Sequence, residues 1–193
     1  LNNVVGINVG DKLNLVNGDV VDIISIKERD TMDTQTYIFT VENTHNFYAN
    51  GVLVHNKCFI TGTPITMADG SVKPIEQIVV GDSILTFNET TKVNEPGTVG
   101  ELKKDVVGDI VKLELGLTTE IYCTEEHPFF VKDKGYVNAK DLVVGDVCVD
   151  SNFEDTPIKS VQLLEEEHTV YNLLDVSENH NFYAHNILVH NKL

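Results

Sequence analysis

Long apolar runs are missing from this 193-residue chain, and none approaches the roughly 20 residues of a membrane span. No membrane partner is therefore expected. A basic segment followed by an apolar core is missing too, so nothing at the N-terminus reads as a signal peptide. Leu1 stands first instead of Met, which suggests a piece of something longer. Basic residues are scarce: 14 Lys and Arg face 30 Asp and Glu, and the net charge of -16 argues against binding nucleic acid by phosphate neutralisation. The acidic residues are spread along the chain, as on a solvated surface. Cysteine is scarce as well. Cys58, Cys123 and Cys148 cannot all pair with one another, and no CxxC pair exists. Neither a structural zinc site nor a disulfide framework is indicated, and no metal or cofactor is expected. A thiol acting alone remains open. The 41% of apolar residues suffices for one ordinary core, or one core with a partial second.

What the chain does have is internal repetition. "HNFYANGVLVHNK" (45 to 57) matches "HNFYAHNILVHNK" (180 to 192) at an offset of 135 residues, and "NVGDKL" matches "VVGDVC" at the same offset. A looser copy lies between them, where "IEQIVVGDSIL" resembles "AKDLVVGDVCV" and "HPFFV" replaces "HNFYA". Three related units follow, about 3 to 56, 74 to 131 and 138 to 191. The second "VVGD", at 106 to 109, sits mid-unit and reads as a decoy. Within each unit, β-branched or alternating runs such as "DIVKLEL", "EIYCT" and "TVYNLLDV" are short and bounded by turn residues, which predicts an all-β chain. "PIEQI" and "NAKDL" predict single helical turns before each Gly-Asp corner. Segments 58 to 131 and 138 to 191 are expected to be halves of a pseudo-twofold β domain.

Two kinds of chemistry are written at the junctions. Asn191 follows His190, and Asn56 follows His55, each after an apolar strand. An asparagine side-chain nitrogen can attack its own carbonyl, closing a succinimide and cutting the chain, and a neighbouring His can act as acid or base. Cys58 heads "CFITGTPI", and its sulfur can attack the Lys57 carbonyl, exchanging an amide for a thioester. An unstrained amide resists this, so a proton donor and oxyanion donors are needed. "TEEHPFF" offers Thr124 and His127 at Thr-x-x-His spacing. The competing reading of His127 is a half-buried strand histidine bonded to backbone, and His45 and His180 share it. His168 and His185 read as surface residues, Cys123 and Cys148 as small buried ones. Asp11, Asp82 and Asp146 read as turn residues.

Taken together, these residues resemble the Hint (hedgehog/intein) superfamily of autoprocessing domains, in the form of a bacterial intein-like domain. "CFITGTPITMADGSVKPIEQIVVGDSIL" looks like the N-terminal block, "CTEEHPFFV" like the Thr-x-x-His block, and "VYNLLDVSENHNFYAHNILVHN" like the two C-terminal blocks. The resemblance covers Cys58 to Asn191 and implies the horseshoe-shaped, pseudo-twofold, all-β Hint fold. It implies an N–S acyl shift at Cys58, with Thr124 and His127 weakening the Lys57–Cys58 bond. Asn191 would cyclise with help from His190 and His180. Two departures stand out. Lys192 occupies the place where splicing inteins carry Cys, Ser or Thr, which blocks transesterification and leaves hydrolysis or amine ligation. Asn172 stands where many inteins have Asp.

Residues 1 to 56 resemble the C-terminal half of a second such domain, with His45, His55 and Asn56 as a further cleavage site. That unit is expected to be a remnant, a permuted completion of the core, or an element swapped into another copy. The expected partners are the flanking polypeptides in cis and, for a swap, a second copy. Two rivals stand beside single-turnover self-processing: a Hint-derived assembly module with impaired chemistry, and hedgehog-type transfer of the thioester to an external nucleophile. The need for a reduced thiol points to an intracellular setting.

Overall fold

The computed structural model describes residues 12–14, 20–22, 24, 46–49, 52–55 and 57–191. The chain forms two compact units, Leu1–Asn56 and Lys57–Leu193. In the first, β1 (Lys12–Asn14) pairs antiparallel with β2 (Val20–Asp22), and β3 (Asn46–Ala49) with β4 (Val52–His55). His45, Asn56, Asp11 and, at the other end, Lys192 lie outside the described residues.

The second unit is built from short strands and, among the described residues, no α-helix. They are β5 (Phe59–Ile60), β6 (Pro64–Thr66), β7 (Val72–Pro74), β8 (Ser83–Asn88), β9 (Val93–Thr98), β10 (Glu101–Val107), β11 (Ile110–Leu115) and β12 (Thr119–Cys123). There follow β13 (Pro128–Val131), β14 (Gly135–Asn138), β15 (Val147–Val149), β16 (Asp155–Leu164), β17 (His168–Leu174), β18 (Asn181–Ala184) and β19 (Ile187–His190). Thirteen of these strands form one sheet in the order β10-β17-β5-β12-β11-β16-β15-β13-β19-β18-β6-β7, with β14 beside β13. Strands β8 and β9 form a separate ribbon.

The strands follow from side-chain alternation. In β11, Val111, Leu113 and Leu115 are buried, while Lys112 and Glu114 are half-exposed, with Lys112 2.8 Å from Glu120 on the neighbouring strand. The core cluster includes Phe59, Phe129, Phe182, Ile121, Leu173 and Val189. Each fully buried Phe contributes about 1.5–3 kcal/mol. Cys123 and Cys148 are small buried members of this core, as their apolar surroundings predict.

The pseudo-twofold relation is visible at two corners. The β6–β7 hairpin runs into a 3-10 turn at Ile75–Gln77, and the β13–β14 hairpin into one at Ala139–Asp141. Each turn is followed by a glycine with left-handed backbone, Gly81 (φ 92°) and Gly145 (φ 98°), a conformation that side chains with a Cβ disfavour. The next residue is the corner aspartate. Asp82 accepts the Val79 N–H at 2.9 Å and Lys73 Nζ at 2.6 Å; Asp146 accepts the Val143 N–H at 3.2 Å and Lys134 Nζ at 2.5 Å. The "VVGD" at 106 to 109 builds no such corner: Val106 and Val107 end β10, and Gly108 lacks the left-handed φ.

The correspondence extends one step upstream. The N–H opening the first 3-10 turn, Ile75, donates to the Thr63 carbonyl at 2.8 Å; that opening the second, Ala139, donates to the His127 carbonyl at 2.8 Å. The backbone of His127 therefore serves the fold as Thr63 does. Its imidazole has no counterpart in Thr63.

Registers also recur at the offset of 135. Asn181↔His190 and Phe182↔Val189 in β18–β19 repeat Asn46↔His55 and Phe47↔Val54 in β3–β4. Val147↔Pro157 in β15–β16 repeats Lys12↔Asp22 in β1–β2.

Candidate functional site

The two-residue strand β5 is held between two others: Phe59 lies opposite Cys123 of β12 and opposite Tyr171 of β17. This fixes Cys58, which is 4% exposed. Thr124, just past β12, holds it from the other side. The Cys58 N–H, the amide of the Lys57–Cys58 bond, donates to Thr124 Oγ1 at 2.8 Å, and the Thr124 N–H donates to the Cys58 carbonyl at 2.9 Å.

Thr-x-x-His is one tight turn between β12 and β13, closed by the His127 N–H donating to the Thr124 carbonyl at 3.1 Å. The competing reading of His127, a half-buried strand histidine bonded to backbone, does not describe it. His127 is 0% exposed, lies off the strands, and neither ring nitrogen has a hydrogen-bond partner among the described residues. Its ring centroid is 4.0 Å from that of Phe59, within a cluster that Phe129 and Phe182 complete. An unpaired buried polar group is costly, so the site needs a reason to keep it.

The other end of the segment arrives on the same strand. Asn191 is buried; its Nδ2 donates to the Leu173 carbonyl of β17 at 3.0 Å, and its backbone N–H to the His180 carbonyl at 2.9 Å. Its Oδ1 has no partner among the described residues. His190 is half-buried with its ring against Tyr136, centroids 4.7 Å apart at 68°. His180 is exposed and left-handed (φ 51°), so its backbone, not its imidazole, holds Asn191.

Burial controls the acidities. Burial first and then Asp105 push the Cys58 thiol up to about 12, with Lys103 opposing. Burial first, then the charges of Lys57 and His190, hold His127 well below the usual histidine value, so its ring is neutral near pH 7. Asn172 is buried opposite Lys103 of β10, and its Oδ1 has no partner among the described residues.

The structure brings Cys58, Lys57, Thr124, His127, His190 and Asn191 into one region of the sheet, and His180 by its backbone. The side chain of His55 lies outside the described residues. The surface reading of His168 and His185 is corrected: both are half-buried, and burial lowers His185 to about 4. Among the described residues no group of His, Cys, Asp and Glu is arranged to hold a metal ion. Two residues that the sequence reading did not single out also contribute. Tyr136 packs on His190, and Asn181 clamps β8 by accepting the Phe87 N–H and donating to the Phe87 carbonyl, both at 2.8 Å.

A family profile described as the pretoxin Hint domain matches residues 65–192. The chain is 33% identical to a bacterial intein-like domain from Clostridium thermocellum, with a TM-score of 0.64, covering 69% of this chain and 98% of that one. It is 29% identical to the gp41-1 intein, with a TM-score of 0.57 over 70% of this chain and 99% of that one. A DnaB intein from Synechocystis sp. PCC 6803, at 22% identity and a TM-score of 0.62 over 72% of this chain and 100% of that one, shares the fold. A stretch of 93 residues is 32% identical to DNA-directed RNA polymerase III subunit rpc2 of Dictyostelium discoideum, covering 46% of this chain and 6% of that protein. The all-β architecture is thus the horseshoe-shaped Hint fold. The chain belongs to the pretoxin Hint family of the Hint superfamily. This intein-like fold supports autoprocessing as its general class of activity.

Proposed function

We propose that residues 58–191 process their own chain in a single turnover, cutting at both ends by intramolecular chemistry. The observation that carries this reading is the meeting of both ends on β17: Tyr171 pairs with Phe59 beside Cys58, and the Leu173 carbonyl holds the Asn191 amide. At the first end the Cys58 thiol loses its proton, and sulfur attacks the Lys57 carbonyl. The C–N bond then breaks, and the nitrogen takes a proton. Thr124 fixes that nitrogen, and the neutral His127 ring, with both nitrogens unpaired among the described residues, is suited to pass it the proton. At the other end Asn191 Nδ2 attacks the Asn191 carbonyl and releases Lys192, with His190 beside the reacting bond.

Lys192 offers no side-chain thiol or hydroxyl for transesterification. The thioester therefore ends by hydrolysis or by amine attack. Of the two amines on the released Lys192, the α-amine has an ordinary pKa of about 7.7–8.0 against about 10.4 for the ε-amine, so it attacks more readily at neutral pH. The polypeptide upstream of Cys58, here the unit 1–56 with Lys57, is the acyl group, and the flanking polypeptides in cis are the partners.

The test is the intact mass of the full chain over time, with and without a thiol, for wild type, Cys58→Ala and Asn191→Ala. The reading expects thiol-dependent release of residues 1–57 that Cys58→Ala abolishes and Asn191→Ala retains. No mass change in any sample overturns it in favour of an assembly module.

A further inference from the structure

The sheet face that carries Cys58 also carries charges that the chemistry above leaves unused, Lys103 and Asp105, with Glu101 beyond them 4.0 Å from Lys103. Lys103 and Asp105 stand two residues apart on β10, so both side chains leave the same face of the strand. The register passes that face along. Lys103 lies opposite Asn172 and Asp105 opposite Val170 on β17, while Val170 lies opposite Ile60 on β5. Cys58, two residues before Ile60, continues the row of Asn172 and Lys103. Adjacent strands lie about 4.8 Å apart, so about 10 Å of sheet separates the Cys58 backbone from β10, and the side chains shorten that gap. Both charged residues are half-buried, where screening is weaker than at an open surface.

We propose that Asp105 and Lys103 set how readily Cys58 ionises, Asp105 as restraint and Lys103 as promoter; this rests on the self-processing reading above. The step they act on is loss of the thiol proton to solvent, which leaves a negative sulfur that a carboxylate disfavours and an ammonium favours. The S–C bond then forms and the C–N bond breaks as described, so that one proton leaves sulfur and one arrives at nitrogen. The acidity of Cys58 agrees in sign: after burial, Asp105 raises it and Lys103 lowers it. The other titratable groups around the thiol and the pair are Glu101 of β10, 4.0 Å from Lys103 and farther from Cys58, Cys123 of β12, which burial holds neutral, and His127 of the β12–β13 turn, also neutral. Lys57, next in the chain, and His190, after β19's apolar run, bear on His127. Asn172, which lies between Cys58 and Lys103, carries no charge.

The test uses the full chain and two readouts: site-resolved alkylation of Cys58 by iodoacetamide from pH 7 to 9.5, and thiol-induced cleavage before Cys58. The variants are Asp105→Asn, Lys103→Gln and the charge-preserving Asp105→Glu. Asp105→Asn is expected to give about tenfold more thiolate at a given pH, but the alkylation–pH line moves only about half a pH unit lower. Its alkylation rate rises about threefold, because a less basic thiolate is a weaker nucleophile. Lys103→Gln moves the line the other way, and Asp105→Glu stays with wild type. An unmoved line, or both neutralising variants moving it in one direction, overturns the proposal. Cleavage that is absent throughout, or that persists in Cys58→Ala, sinks the self-processing reading instead, and the alkylation lines still decide on the charge pair.

Discussion

Thr124 grips Cys58 twice, through its backbone N–H to the Cys58 carbonyl at 2.9 Å and through its Oγ1 to the Cys58 N–H at 2.8 Å. The residues are 66 apart in sequence, and the second bond engages the nitrogen that must leave in an acyl shift. Thr124→Ala strands that N–H in a buried site, at about 1–2 kcal/mol. Thiol-induced cleavage before Cys58 is expected to slow at least about tenfold. Thr124→Ser keeps the oxygen and stays within about threefold of wild type. Cleavage rates by gel, with urea midpoints for both variants, check this.

His127 should show opposed effects on stability and activity. Its ring nitrogens, unpaired among the described residues, are costly to bury among Phe59, Phe129 and Phe182. His127→Leu fills the same space without that cost, so its Tm matches or exceeds wild type. Cleavage before Cys58 falls about 10²-fold, the lower range for loss of a general acid or base. Calorimetry and the cleavage assay on one preparation read both.

Asn181 is expected to matter for stability and not for chemistry. Its amide is the bond between β18 and the backbone of Phe87 on β8. Asn181→Ala leaves a buried N–H and a buried carbonyl unmet, a loss of about 2–4 kcal/mol in urea unfolding. Below the unfolding transition, cleavage per folded molecule is expected to be unchanged.

Acid should destabilise the fold before carboxylates titrate. His185 ionises near 4 in the folded chain, against about 6.5 when unfolded. Between these values the unfolded chain binds the proton first, so the stabilisation is complete above about pH 6.5 and is lost as pH falls to about 4. His127, lowered in the same direction, adds to the loss. The urea midpoint is expected to fall from pH 7 to 4.5, with about 2 kcal/mol lost through His185. His185→Gln removes its share of the slope and leaves that of His127.

Much of this site is legible in the sequence because its parts are local. Thr-x-x-His is a single turn, the Gly-Asp corners are four-residue motifs, and Cys58 and Asn191 are marked by the blocks around them. What the sequence hides is non-local pairing. Nothing near Tyr136 announces that it packs on His190, and nothing near Asp105 announces that β10 lies two strands from Cys58. His180 misleads for a related reason: the "HNF" pattern marks a left-handed backbone and a buried Asn181, while the imidazole itself points to solvent. His185 reads as a surface residue, yet it shares a concave surface with Pro64, Leu85 and Asn186.

The central claim is that Cys58 carries the upstream chain as a thioester, and neutral hydroxylamine tests it most directly. The account predicts a fragment of residues 1–57 ending in a hydroxamate on Lys57, seen by mass in wild type and Asn191→Ala and absent from Cys58→Ala. The same fragment in Cys58→Ala, or none in wild type, would contradict it.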